Sequence, residues 1–307
     1  MTPAFRVDGL VKQYRRTRAL DGLSLTVPQG SIFALVGSNG AGKTTLMSIV
    51  SGLAKPDRGA CDVLGHGPYS AARHAGLVAI LPQDSVPPRH ARIDHLLHYY
   101  ARLQGLHRAP ARAAVREVLG WVNLADKTTA RVSELSHGML RRFTIAQAFL
   151  GNPEIVLLDE PMSGLDPVEA ANIRNLIRSR RGRQTIVISS HILHELESVC
   201  DQVAFIEAGR LMRQNSMKHV TRHGRQINMN ITGTPPLARL QELVPEHAVE
   251  FDAAAQMLRI HLTGQPTALG SINGLIIPAL LDAGCQIIEI VLGSNLEHEY
   301  LNQRQAR

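Results

Sequence analysis

"GSNGAGKTT", Gly37 to Thr45, follows the apolar run "SIFALVG" and precedes a segment that reads as a helix from about Gly42 to Gly52. The stretch fits G-x-x-x-x-G-K-[ST], with Gly37, Gly42, Lys43 and Thr44 in register. A strand buried on both faces before it and a helix after it form the context that a phosphate-binding loop needs. Gly37, Gly40 and Gly42 let the backbone approach closely and point N–H groups inward, with Ser38, Asn39, Ala41 and Thr45 completing the cradle. In such a loop Lys43 reaches the β- and γ-phosphates and the Thr44 hydroxyl ligates Mg²⁺.

A phosphate loop needs a second acid for the metal, and "IVLLDEP" offers one. Asp159 ends an apolar run, which places its carboxylate at the C-terminal edge of a strand beside the loop. Its neighbour Glu160 is the candidate general base that polarises an attacking water.

Downstream of the first cradle, "SELSHGMLRR", Ser133 to Arg142, has the makings of a second. A serine and a glycine precede an apolar-plus-arginine run, so a hydroxyl and free amides collect where a helix dipole is positive. A helix N-terminus contributes only about 0.3–1 kcal/mol to an exposed charge. That is too little to hold a nucleotide alone.

The chain has 307 residues, comfortable for two domains. Phe5 and Val7, then Leu23, Leu25 and Val27, alternate as antiparallel strands do. A helix-rich, arginine-rich region spans about 90–150, and buried strands return at "EIVLLDE" and "QTIVISS". The first domain is expected to cover 1–217, with "KHVTRHGR", 218–225, as a linker. From 226 to 307 the pattern restarts as strand–helix–strand–strand–helix–strand, which suggests a small α+β ferredoxin-like accessory domain. Pro278 interrupts its second helical segment, and Ser294 with Glu297 forms a capping box for a last short helix. This part holds 4 basic and 8 acidic residues, against a net charge of +7 for the whole chain.

No secretory signal opens the sequence. The uncharged run Leu262 to Leu281 is broken by polar residues, glycines and prolines, which excludes a membrane helix. Cys61, Cys200 and Cys285 form no C-x-x-C pair and fit reduced thiols.

The order of these motifs resembles the ATP-binding subunits of ABC transporters, from Leu10 to about Met217. "LSHGM" is similar to their signature, with His137 and Met139 where LSGGQ is commonest. "SGLD" carries the D-loop Asp166, and "SSH" the switch histidine His191. The resemblance implies an α/β P-loop fold of ABC ATPase type, with a mixed sheet core, an antiparallel β subdomain and a helical signature subdomain. It implies ATP and Mg²⁺ as cofactors, Tyr14 stacked on adenine, and Gln83 sensing the γ-phosphate and Mg²⁺. Glu160, His191 and Gln83 are then catalytic, and Thr44, Gln83 and Asp159 hold the metal. Ser136, His137, Gly138 and Met139 would contact ATP bound by the other member of a head-to-tail pair, formed with a second copy or a paralogue.

The same resemblance implies a separate multi-helix membrane permease, a location on the cytoplasmic face of the membrane, and export, because signatures ending in Gly-Met look like a drug, lipid or polymer exporter subgroup. The competing reading is a soluble ABC-type ATPase acting on nucleic acid or ribosomes. That class tends to carry two cassettes or a long coiled coil, so no nucleic acid is expected here. The cluster "RSRRGR", Arg178 to Arg183, reads as a helix end with a glycine cap rather than a polyanion site.

Overall fold

The computed structural model describes residues 3–191, 194–217, 226–262 and 269–292. The chain divides into two compact units, 1–215 and 216–307. Among the described residues no helix is long and apolar enough to cross a membrane.

The first unit holds two sheets. β1 (Pro3–Tyr14), β2 (Thr17–Pro28) and β4 (Arg58–Val63) form an antiparallel sheet in the order β2-β1-β4. Phe5, Val7, Leu23, Leu25 and Val27 are all buried, which is the one-sided alternation of a half-covered sheet. The larger sheet has six strands. They are β3 (Ile32–Val36), β5 (Val78–Leu81), β6 (Ile155–Asp159), β7 (Thr185–Ser190), β8 (Gln202–Glu207) and β9 (Arg210–Ser216), in the order β5-β6-β7-β3-β8-β9. The pairs β5–β6, β6–β7, β7–β3 and β3–β8 are parallel. Every residue of β3, β6 and β7 is buried, so alternation vanishes and the strands read as continuous apolar runs.

α1 (Lys43–Val50) follows β3 and α2 (Ala71–His74) precedes β5. The first helix ends near Gly52, whose φ of +74° leaves the helical region. The helical subdomain contains α3 (Ile93–Leu103), α4 (Arg108–Trp121) and α5 (His137–Phe149). α5 buries Phe143, Ile145, Ala146, Ala148 and Phe149, and Trp121 meets Phe149 edge-on with ring centroids 6.5 Å apart. α6 (Pro167–Ser179) links β6 to β7, and α7 (His194–Glu197) lies between β7 and β8.

Three of the four arginines at the C-terminal end of α6 are spent on their own chain. Arg178 donates to the Ser198 carbonyl, Arg181 to the Val199 carbonyl and to Asp201, and the Arg180 guanidinium lies 3.4 Å from the Trp121 ring centroid. Gly182, at φ +75°, turns the chain and donates its amide to the Gly30 carbonyl.

The second unit runs β10 (Gln226–Thr232), α8 (Leu237–Leu243), β11 (Ala248–Asp252), β12 (Met257–His261), α9 (Leu269–Asp282) and β13 (Gln286–Leu292). Its sheet is antiparallel throughout, in the order β11-β12-β10-β13. Ile227, Met229, Ile231, Leu240, Leu258, Ile260, Ile276 and Leu280 form a core of its own. Pro278 sits inside α9, and the residue four positions before it, whose carbonyl a proline ring crowds, is Gly274. The segment 218–225 and the Ser294–Glu297 pair lie outside the described residues.

Candidate nucleotide site

Four sequence motifs leave the C-terminal ends of neighbouring parallel strands. β3 feeds the loop from Gly37, β5 leads to Gln83, β6 ends on Asp159 with Glu160 next, and β7 ends on Ser190 before His191. Open parallel sheets place ligand sites at this edge, because each strand delivers its following residues there.

The loop geometry explains its glycines. A Cβ on Gly37 would collide with the Ile206 carbonyl oxygen and lie 2.9 Å from the Ala41 Cβ. Gly42 has φ +107°, and a Cβ there would stand 2.5 Å from the Ala19 carbonyl oxygen. Lys43 is buried, and its Nζ donates to the Gly37 and Ser38 carbonyls at 2.8 and 3.1 Å. These bonds use two of its three donors. Burial lowers the ammonium below the usual lysine value, while the Glu160 and Asp159 carboxylates act to raise it.

The acids are held from several sides. Thr44 Oγ1 donates to Asp159 Oδ2 at 2.6 Å, and the Ser189 hydroxyl donates to Oδ1. Asp159 is 1% exposed. Glu160 is buried too, with a backbone φ of +47°, a conformation that non-glycine residues seldom adopt. Its amide donates to Ser189 Oγ at 2.9 Å, and its Oε1 lies 3.1 Å from His191 Nδ1. Thr44, Asp159 and Gln83 supply oxygen donors, which suits a hard divalent cation. A cleft of about 300 Å³ is lined by Asn39 to Thr45, Thr17, Ala19, Gln83, Asp159 and Glu160.

The remaining sequence candidates stand apart from this cleft lining. Tyr14 ends β1 at the hairpin tip, exposed, with Lys12 Nζ 5.3 Å from its ring centroid. Ser136 caps α5, its Oγ accepting the Met139 amide at 3.3 Å. His137 and Gly138 open the helix; the His137 ring approaches Gly164, and Gly138 faces the Glu169 side chain. Asp166 Oδ1 caps α6, accepting the Val168 and Glu169 amides at 3.0 Å each.

Two residues were missed by sequence reasoning. Ser189 enters the sequence reading only in the "SSH" of His191, and Arg141 only in the apolar-plus-arginine run after Ser136. The signal for Ser189 was a hydroxyl at the very end of an apolar strand. Arg141 had none, because its partners are backbone carbonyls far along the chain.

A family model described as ABC transporter matches residues 20–163. A daunorubicin resistance ATP-binding protein of Streptomyces coeruleorubidus is 31% identical over 293 residues, covering 94% of this chain and 92% of that protein. The chain belongs to the ABC transporter ATP-binding family. A Nod factor export ATP-binding protein I of Burkholderia thailandensis is 37% identical, covering 76% of this chain and 78% of that protein. A solved ATP-binding subunit of an ABC transporter superposes with a TM-score of 0.64 at 27% identity, covering 72% of this chain and 92% of its own. As an ABC ATP-binding subunit, the chain binds ATP and is an ATPase coupled to transport, which entails a membrane permease and association with a second ATPase subunit.

Proposed function

We propose that this subunit hydrolyses ATP as a head-to-tail dimer at the cytoplasmic face of the membrane, driving export through a separate permease. One observation carries the catalytic part: Thr44, Asp159, Glu160 and His191 converge at the phosphate loop, joined by the 2.6 Å Thr44–Asp159 and 3.1 Å Glu160–His191 contacts. The export direction rests on the daunorubicin resistance and Nod factor export relatives.

In this reading the amides from Gly37 to Thr45, with Ser38, Asn39 and Ala41 among them, cradle the phosphates, and Lys43 adds a charge-assisted contact. Thr44 and Asp159, with Gln83, hold Mg²⁺, which neutralises phosphate charge when bound. Glu160 Oε1 takes a proton from water as its oxygen attacks the γ-phosphorus and ADP leaves. His191 Nδ1 orients that carboxylate. Tyr14 stacks on the base from the hairpin tip. Ser136, His137, Gly138 and Met139 close over ATP bound by the other subunit, with Asp166 shaping the turn beside them, and closure dries the site.

The test is Glu160→Gln. With the base removed, turnover falls at least about a hundredfold while ATP affinity stays within about threefold, so an ATP-bound dimer accumulates on size exclusion. Near-normal turnover in this variant refutes the assignment.

A further inference from the structure

The guanidinium of Arg141 donates to four main-chain carbonyls beside the cleft, and nothing in the motif reading assigns it a task. Its Nε donates to the Pro161 carbonyl at 3.0 Å, and Nη2 to the Glu160 and Asp159 carbonyls at 2.6 and 3.4 Å. Nη1 donates to the Gln83 carbonyl at 3.3 Å. Among the described residues no carboxylate lies within ion-pair distance of it. A half-buried cation has therefore been placed where its described partners are main-chain carbonyls, from the end of β6 and the turn after it on one side and from the segment after β5 on the other. Burial disfavours its charge, and Asp159, Glu160 and Asp84 favour it from a distance.

The geometry gives these bonds a purpose. Glu160 holds a left-handed backbone that glutamate does not choose for itself. Such a conformation persists only where neighbours fix both sides of the peptide. Ser189 Oγ takes the Glu160 amide, and Arg141 takes the Glu160 carbonyl. The Ser163 amide adds a weaker bond to that same carbonyl at 3.2 Å. Arg141 belongs to α5, five residues beyond the capping Ser136, so the same helix that presents the signature residues also grips the turn carrying Glu160.

We infer that Arg141 is a positioning residue for hydrolysis: it sets the Glu160 turn and the Gln83 segment from the signature helix, so that displacement of α5 on engaging the second subunit's nucleotide reaches this subunit's own base. The inference rests on the reading of Glu160 as that base. Lysine cannot replace the fork, because a point ammonium does not span carbonyls on two segments.

The experiment uses the full chain with its permease and compares wild type, Arg141→Ala and Arg141→Lys. ATP hydrolysis is measured across ATP concentration, and ATP affinity by titration without turnover. The expected result is a kcat at least about tenfold lower in Arg141→Ala and about three- to tenfold lower in Arg141→Lys, with KM and ATP affinity within about threefold of wild type. The Hill coefficient for ATP falls toward 1 in both variants. Should Arg141→Ala fail to fold, Arg141→Lys carries the test alone. A folded variant with kcat within about twofold of wild type overturns the inference, as does a loss confined to affinity or thermal stability. Glu160→Gln run in parallel separates the two readings: full activity there sinks the base assignment, whereas an inactive Glu160→Gln beside a fully active Arg141→Ala sinks only this one.

Discussion

Ser189 holds Asp159 in place: its hydroxyl donates to Oδ1 of a carboxylate that is 1% exposed, while it accepts the Glu160 amide at 2.9 Å. One small side chain therefore serves both acids, from a neighbouring strand with Asp159 and Ser189 in direct register.

Replacing Ser189 by alanine removes both bonds at once without changing the strand. A buried amide and a carboxylate oxygen are left short of partners, which costs about 2–4 kcal/mol. The unfolding midpoint of the first unit falls by roughly 5–10 °C, and turnover falls more than ATP affinity. Calorimetry with a parallel ATPase assay checks this; an unchanged midpoint contradicts the bond pattern.

The phosphate loop separates two kinds of glycine. Gly37 has no room for a Cβ, whereas Gly40 has open space but φ +82°. Gly37→Ala is expected to abolish ATP binding, because the Ile206 carbonyl cannot yield without disturbing β8. Gly40→Asn, which tolerates the left-handed region, keeps binding within about tenfold. Lys43→Ala loses both loop carbonyl bonds and the proposed phosphate contact, and ATP affinity is expected to drop roughly 10- to 100-fold. Titration with a fluorescent nucleotide ranks the three.

The second unit has its own core, and residues 226–307 hold 4 basic and 8 acidic residues against a net +7 for the chain, so this part is expected to fold separately. A chain ending at Arg225 should stay soluble and bind ATP as the full chain does. Aggregation, or lost binding, would make that unit part of the catalytic fold.

The three described cysteines are buried. Burial pushes the Cys61 thiol up to about 11 from 9.0, and the Cys200 thiol further. Since the thiolate is the nucleophile, Cys61 at pH 8 should react about a hundredfold more slowly than an ordinary thiol of that starting value. Its rate should climb steadily as pH rises toward 11. Maleimide labelling followed by peptide mapping, native against denatured, reads this out; rapid native labelling at Cys61 would contradict it.

What was legible in the sequence was local. Lys43 and Thr44 sit within nine residues that carry their own context, and Asp159 ends its own strand. The succession of strands and helices along the second unit was legible from the alternation of Ile227, Met229 and Ile231 and from the apolar runs after it, whereas the order of its strands in the sheet, β11-β12-β10-β13, was not. Ser189 and Arg141 were hidden because their meaning lies in contacts 30 and 19 residues away, and in carbonyls that every residue possesses. Asp166 was read for its motif, while its bonds are those of a helix cap.

With Glu160 as the proposed base, its left-handed backbone sets stability and chemistry against each other at a single position. Glycine or asparagine would sit there with less strain, by about 1 kcal/mol, and neither could take a proton from water. A library enriched for heat resistance alone should therefore drift toward inactive chains at residue 160, whereas one enriched for turnover should return to glutamate and recover the lost tolerance elsewhere in the fold.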